Sequence, residues 1–141
     1  MIPEPIVTYV TTQSCATVSC ISADHKPYCF NCFYTFLAAE GWLIFKSSQD
    51  TAHANMLLQN PQIAGSILPD KLTMLHIRGL QFEGELLPFN HPAYETAAKA
   101  YYKQHPISLT MSGDIWVLQL NHLKLTDNRL GIGNKQHWQR A

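Results

Sequence analysis

Residues 42–61 read Trp42-Leu-Ile-Phe-Lys-Ser-Ser-Gln-Asp-Thr-Ala-His-Ala-Asn-Met-Leu-Leu-Gln-Asn-Pro61 and join an apolar strand directly to a helix. The pattern predicts the strand over 42–47 and the helix over about 51–59, with its end at Asn60 and Pro61. Because hydroxyl residues fill the junction, free backbone N–H groups of the first helical turn stand beside side-chain donors. This arrangement predicts a binding site for an anion such as a phosphate.

The hydroxyl residues at this junction also allow a simpler interpretation. Ser47, Ser48 and Thr51 can donate hydrogen bonds to a phosphate. Alternatively, Ser48 or Asp50 can cap the helix by accepting hydrogen bonds from its backbone, which is the commoner use of such residues. The junction alone leaves both interpretations open.

The composition is that of one small domain with few charges. A chain of 141 residues is long enough for a single buried core, so we expect one domain over residues 1–141. Only 14% of the residues are charged and 46% are hydrophobic, which predicts an apolar face covered by a second copy in a homodimer. The formal net charge is zero and the basic residues are scattered, so we expect no nucleic-acid partner.

From the sequence we expect neither a secretory leader nor a membrane span. No charged segment followed by a long apolar run opens the chain, and no window approaches a membrane-spanning length. The four cysteines suit a reducing compartment. We therefore expect a soluble cytoplasmic protein without a membrane partner.

Cys29 and Cys32 have a spacing that is common among zinc ligands. They fall in the aromatic and β-branched run 28–36, which predicts a strand, and residues three apart on a strand point to opposite faces. A zinc pair needs a turn between its cysteines, and the seven histidines show no ligand spacing. We therefore predict no metal site.

The remaining pattern predicts a β-rich chain with two helices. Residues 4–12 can form either a short helix or an extended lead-in, and a polar, glycine-containing tail covers 126–141. Gly79 and Gly84 predict β-bulges that curve the longest strand. The predicted strands span 14–22, 28–36, 42–47, 63–68, 72–87 and 114–125.

A second helix is predicted after Asn90, which would cap it, with Pro92 in its first turn. Its apolar side chains fall on one face, and Glu95 and Lys99 form a favourable pair one turn apart. The residues of that face are Tyr94, Ala97, Ala98 and Tyr101.

Six strands with intervening helices predict an α+β fold built on a small antiparallel barrel. Residues 46–57, 77–85 and 125–140, taken in this order, carry a resemblance to a known family. They resemble the FMN-binding split-barrel superfamily of pyridoxamine phosphate oxidase, and within it the YhbP-like group. The resemblance covers nearly the whole chain and implies a six-stranded antiparallel split β-barrel with two or three helices.

The resemblance implies that the strand-to-helix junction holds the phosphate and ribityl chain of FMN. Split-barrel flavoproteins often carry serine, any residue and then lysine at this place. The matching positions here are Thr51, Ala52 and His53, preceded by Lys46, Ser47 and Ser48. His53 replaces a permanent charge with a side chain whose ordinary pKa is about 6.5. It can also be a neutral first-turn residue that packs against the barrel.

The resemblance implies further flavin contacts on the fifth strand and in the tail. Gln81 shares a face with the family's flavin-contacting position at Gly79, and Arg78 points the other way unless a bulge shifts the register. Either can donate to a flavin carbonyl, although Arg78 can equally be a solvated strand residue. Lys135 and Trp138 resemble the basic and aromatic residues that flank the isoalloxazine. Trp138 can instead seal the barrel end or a dimer seam.

The second strand argues against one activity of the family. In the oxidase this strand carries an arginine and a lysine that serve flavin and phosphorylated substrate, whereas residues 29–35 contain no cation. Pyridoxamine phosphate oxidation is therefore not expected. Two functions remain: an FMN oxidoreductase of unknown substrate with its cofactor at a homodimer interface, or a non-catalytic module that binds flavin or haem or only a protein partner. No catalytic residue is assigned, because flavin itself supplies the reacting atom.

Overall fold

The computed structural model describes residues 1–141 except for the side chain of Leu130. Its eight strands are β1 (Cys15–Ile21), β2 (Pro27–Phe33), β3 (Thr35–Leu37), β4 (Trp42–Ser47), β5 (Gln62–Ile67), β6 (Arg78–Leu86), β7 (Asp114–Asp127) and β8 (Lys135–Gln139). Its helices are α1 (Glu4–Thr12), α2 (Ala52–Gln59) and α3 (Ala93–Gln104). Two 3-10 turns span Pro106–Thr110 and Asn128–Leu130.

The strands form one curled antiparallel sheet. Their order is β2-β1-β5-β6-β7-β4-β3, and β8 pairs with the second half of β7. The curl brings β2 over β4, where the ring centres of Phe30 and Phe45 lie 5.6 Å apart. The chain is therefore an α+β half-barrel, in agreement with the predicted fold class.

Two apolar cores explain the unbroken hydrophobic runs of β4 and β7. Phe45 and Trp116 point into the main core inside the curled sheet, whereas Ile44 and Val117 pack beneath α3 on the outer side. Because successive strand residues point to opposite faces, a strand covered on both faces must be apolar at every position. The end of β4 is thereby held rigidly where the chain turns into α2.

The strand count differs from the prediction of six in two places. The run 28–36 divides at Tyr34, whose hydroxyl donates to the Val10 carbonyl oxygen at 2.6 Å, so that β2 and β3 are separate strands. The polar tail contains β8, because the second half of the long strand β7 offers it a pairing edge. Residues 4–12 adopt the helical alternative as α1.

The predicted strand 72–87 starts six residues later, at Arg78. Its hairpin partner β5 ends at Ile67, before Pro69, which has no backbone N–H to donate. The register shifts between Glu83 and Gly84, which confirms the bulge predicted at Gly84. No shift occurs at Gly79, which pairs regularly with Thr126, so the bulge predicted there is wrong.

The third helix begins without the cap predicted at Asn90. The His91 Nδ1 atom accepts from the backbone N–H of Ala93 at 3.0 Å instead, and Pro92 precedes the first helical residue. The predicted pair of Glu95 and Lys99 is present at 3.6 Å. None of the helices in the described part of the chain combines the length and the hydropathy that a membrane span requires.

Candidate functional site

A cavity of about 480 Å³ opens between β2, the end of β4, the start of α2 and the segment that follows α3. Aromatic and aliphatic side chains form most of its wall, and a few polar groups lie at the β4–α2 junction. Its lining includes Phe30, Cys32, Phe45, Lys46, Ser47, His53, Tyr101, His105 and Met111. An apolar cavity of this size with a few convergent polar groups is typical of a small-molecule site.

Ser47 and His53 form the polar centre of the cavity. The Ser47 Oγ atom lies 2.7 Å from His53 Nε2, and the imidazole stacks on Phe30 with ring centres 3.9 Å apart. The Ser47 carbonyl oxygen accepts from the Trp116 indole N–H at 2.9 Å, which fixes the end of β4. Burial lowers the pKa of His53 below its ordinary value. The imidazole is therefore neutral at pH 7, with one ring nitrogen able to accept and the other able to donate.

Lys46 brings a positive charge to the same cavity. Its Nζ atom donates to the carbonyl oxygens of Ser108 and Met111, each at 2.7 Å, and lies 4.8 Å from the ring centre of Tyr102. These partners are dipoles and a π-system rather than a carboxylate, so the charge is not cancelled by an opposite charge. The Lys46 ammonium would therefore interact more strongly with an anion in the cavity than with the two neutral carbonyl groups.

Ser48 and Thr51 serve the helix start rather than the cavity. The Ser48 Oγ atom accepts from the backbone N–H of Asp50 at 3.1 Å. Thr51 Oγ1 accepts from the N–H of Ala54 at 3.2 Å and donates to the Ser48 carbonyl oxygen at 3.1 Å. Thr51 is therefore the helix cap, in place of the predicted Ser48 or Asp50, and Ser48 stabilises the turn before the helix. Ser47 is the junction hydroxyl that lines the cavity.

The other predicted flavin contacts lie away from this cavity. Gln81 is exposed on the outer face of β6, and Lys135 is exposed at the start of β8. Trp138 packs against the main core and lies under Arg140, whose guanidinium is 5.4 Å from its ring centre. Arg78 points inward and pairs with the carboxylate of a residue on β7. Within one copy of the chain, the structure brings together Lys46, Ser47 and His53 alone of the predicted set.

Several lining residues were not found from the sequence. Phe30 belongs to an aromatic run whose alternation does indicate an inward position, whereas Tyr101 and His105 come from α3 and its end, which no local motif connects with β4. The His105 Nε2 atom lies 3.1 Å from the Tyr34 carbonyl oxygen. A three-dimensional neighbourhood of this kind leaves no signal in a single sequence.

The two cysteines of β2 differ in exposure, as strand geometry predicts. Cys29 is exposed opposite Ser19, whereas Cys32 is half-buried opposite the buried Ala16. Burial raises the pKa of Cys32 to about 12, so its thiol stays protonated in the cavity wall. Among the residues that the structure describes, no group of three or more histidine, cysteine or acidic side chains is placed to hold a metal ion.

Solved structures with the same fold include three proteins described as cofactor-binding. A haem-binding protein from Mycobacterium smegmatis matches 99% of this chain and 59% of its own, with a TM-score of 0.81 and 15% identity. A FAD-binding protein from Mesorhizobium loti gives a TM-score of 0.70 at 10% identity, over 90% of this chain and 95% of its own. HutZ, a haem storage protein from Vibrio cholerae, gives 0.64 at 16% identity, over 85% and 89%. At these identities the likeness is one of fold alone.

Relatives in sequence match the chain over nearly its full length. A UPF0306 protein of Photorhabdus laumondii is 36% identical over 132 residues, which are 94% of this chain and 92% of the relative. A UPF0306 protein of Serratia proteamaculans is 34% identical over 138 residues, or 98% and 95%. No family model matches the chain. Identity at this level over this length establishes the relationship, and the chain belongs to the UPF0306 family.

Proposed function

We propose that this protein binds FMN, with the phosphate end of the cofactor at Lys46, Ser47 and His53. The observation that carries the proposal is that these three polar side chains lie together at the β4–α2 junction, in a cavity whose wall is mostly apolar. Such a division suits a ligand with an anionic tail and a flat apolar ring system. The resemblance to the YhbP-like split barrels, to which we assign the chain, supports the same ligand.

The polar end can serve a phosphate through three kinds of contact. The Ser47 hydroxyl can donate, the Lys46 ammonium supplies a charge-assisted donor, and the His53 imidazole becomes a second one when it takes up a proton. Phe30 and Tyr101 supply aromatic surface for the remainder of the cofactor. FMN, when bound, supplies reversible hydride or electron transfer, and the role of the chain is to hold and orient it.

A homodimer would complete the site in this proposal. Gln81, Lys135 and Trp138 lie outside the cavity of their own chain, and a second copy can present them to it. The segment between β5 and β6 also exposes apolar side chains that an interface would bury, since Met74 and Leu75 are 95% and 83% exposed. We propose an oxidoreductase of this form, acting in the cytoplasm, where four free thiols are stable.

Haem is the second candidate ligand. Two of the structural neighbours are described as haem proteins, and His53 and His105 both line the cavity here. Imidazole nitrogen is a common axial ligand of haem iron. In this alternative the protein binds or stores the cofactor without catalysis.

Titration with cofactors distinguishes these candidates. We expect FMN fluorescence to be quenched saturably by the protein, and FMN to bind at least about tenfold more tightly than riboflavin, which lacks the phosphate. Haemin should give no saturable shift of its Soret band. A Soret shift without flavin quenching would favour the haem alternative. Equal affinity for riboflavin and FMN would mean that the protein does not bind the phosphate group.

Single substitutions at the junction should separate phosphate binding from helix capping. Ser47→Ala should weaken FMN binding about tenfold and leave riboflavin binding unchanged, because it removes a hydroxyl that can donate to the phosphate. Thr51→Ala should lower the free energy of unfolding by about 1 kcal/mol through loss of the cap, with FMN affinity changed less than about twofold. Fluorescence titration and urea denaturation measure the two effects. Equal loss of FMN affinity in both variants would contradict this division.

A further inference from the structure

A second cavity, of about 470 Å³, lies between α1 and the ends of β6 and β7. Two arginines, Arg78 and Arg129, line it together with the Tyr9 ring and the aliphatic side chain of Leu125. It shares no lining residue with the cavity assigned to FMN. Any ligand it holds is therefore independent of the proposed flavin site.

An ion cluster forms the floor of this second cavity. The Asp127 side chain is 6% exposed and accepts from Arg78 Nε at 3.3 Å and from Arg129 Nε and Nη2 at 3.1 and 3.0 Å. Hydrogen bonds from Arg129, together with the charges of Arg129 and Arg78, hold the pKa of Asp127 below its ordinary value. Two guanidinium groups thus share one ionised carboxylate, and the cluster retains a positive charge.

Arg78 is held in one orientation with donors to spare. Its guanidinium lies over the Tyr9 ring at 5.0 Å, and its side chain is 19% exposed. Nε is the only guanidinium nitrogen of Arg78 that hydrogen-bonds a described residue. The two Nη atoms of this partly buried, cavity-lining side chain are therefore open to a ligand or to water.

The surroundings of the cluster select among anions. A planar guanidinium edge matches the two oxygens of a carboxylate. Glu4, which is exposed, also lines the cavity and offsets the one positive charge of the cluster, so the directed donors of Arg78, rather than net charge, favour an anion here. A doubly charged phosphate meets more repulsion from Glu4 and Asp127 than a singly charged group does. The Tyr9 ring and Leu125 provide apolar surface beside the arginines. We propose that this cavity binds a singly charged carboxylate with an apolar or aromatic body, held through Arg78 and Arg129.

Isothermal titration with matched small molecules tests the proposal on the full chain. Benzoate should bind saturably, whereas benzamide, which has nearly the same shape without the charge, should not. Acetate, which lacks the apolar body, and inorganic phosphate should both bind at least about tenfold more weakly than benzoate. Equal binding of benzamide, or no saturable binding of benzoate, would overturn the proposal.

Substitutions place the binding at the arginines. Arg78→Lys keeps the charge beside Asp127 but removes the planar pair of donors, and should weaken benzoate binding about tenfold. Arg129 is more exposed, with 45% of its side chain accessible, so Arg129→Gln provides a second variant if Arg78→Lys fails to fold; it should weaken binding by a similar factor. Ser47→Ala, in the other cavity, should leave benzoate binding unchanged. Unaltered affinity in a folded arginine variant would show that benzoate binds elsewhere.

Discussion

Replacing Gly84 by alanine should lower the free energy of unfolding by about 3 kcal/mol, because the new methyl group has no space. A Cβ atom at Gly84 would lie 2.2 Å from the carbonyl oxygen of Gln119 and 3.1 Å from the Cα atom of Leu120. Both are backbone atoms of β7, the neighbouring strand. Relief of the clash requires one strand to move away from the other, which breaks pairing on either side of the bulge.

Gly79 provides a matched control on the same strand. Its nearest neighbour to an added Cβ is the Ile67 carbonyl oxygen at 4.0 Å, an ordinary contact distance. Gly79→Ala should therefore change the free energy of unfolding by less than about 0.5 kcal/mol. Urea denaturation, followed by circular dichroism and by the fluorescence of the buried Trp116, measures both variants. Equal destabilisation would mean that strand propensity, rather than the close approach at Gly84, sets the requirement for glycine.

The two glycines also show which features of this sheet can be predicted from the sequence. A glycine in a strand can mark a bulge, a close approach or neither, and the chain uses Gly84 for the bulge and pairs Gly79 regularly. The difference depends on the strand alongside. In the same way β8 forms because β7 is long enough to pair with it, although its own residues are mostly polar. The strands β4 and β7, by contrast, were predictable from sequence. A strand that is buried on both faces is apolar at successive positions, and that run is visible in the segment itself.

The residues of the candidate site also differ in whether local sequence predicts them. Lys46, Ser47 and His53 were predictable because they flank one turn, so that their adjacency in sequence makes them neighbours in space. Ser48 and Thr51 also carry hydroxyl groups, but the direction of each hydroxyl decides whether it bonds the local backbone or a ligand, and composition does not give that direction. The wall contributed by α3 and the segment after it depends on how the sheet curls.

The affinity for FMN should rise as the pH falls from about 8 to about 6.5, by at most about tenfold per pH unit, which is the limit for uptake of one proton. Burial places the pKa of His53 in the free protein below its ordinary value. In the free protein at pH 8 the imidazole therefore carries no extra proton. A phosphate beside the imidazole favours the charged form and raises that pKa in the complex. Binding therefore takes up a proton between the two pKa values, and lower pH favours the complex over that interval. Below about pH 6 the phosphate itself takes up a proton, and the rise in affinity should level off.

Three comparisons assign this pH dependence to His53. His53→Gln, which keeps a polar group near Ser47 but cannot take up a proton, should bind FMN with an affinity that is nearly constant over the same interval. Riboflavin should show no such dependence with the unaltered protein. Calorimetry in two buffers of different ionisation enthalpy should register proton uptake with FMN alone. If FMN binds more tightly than riboflavin at every pH and takes up no proton, then Lys46 holds the phosphate and His53 only positions Ser47.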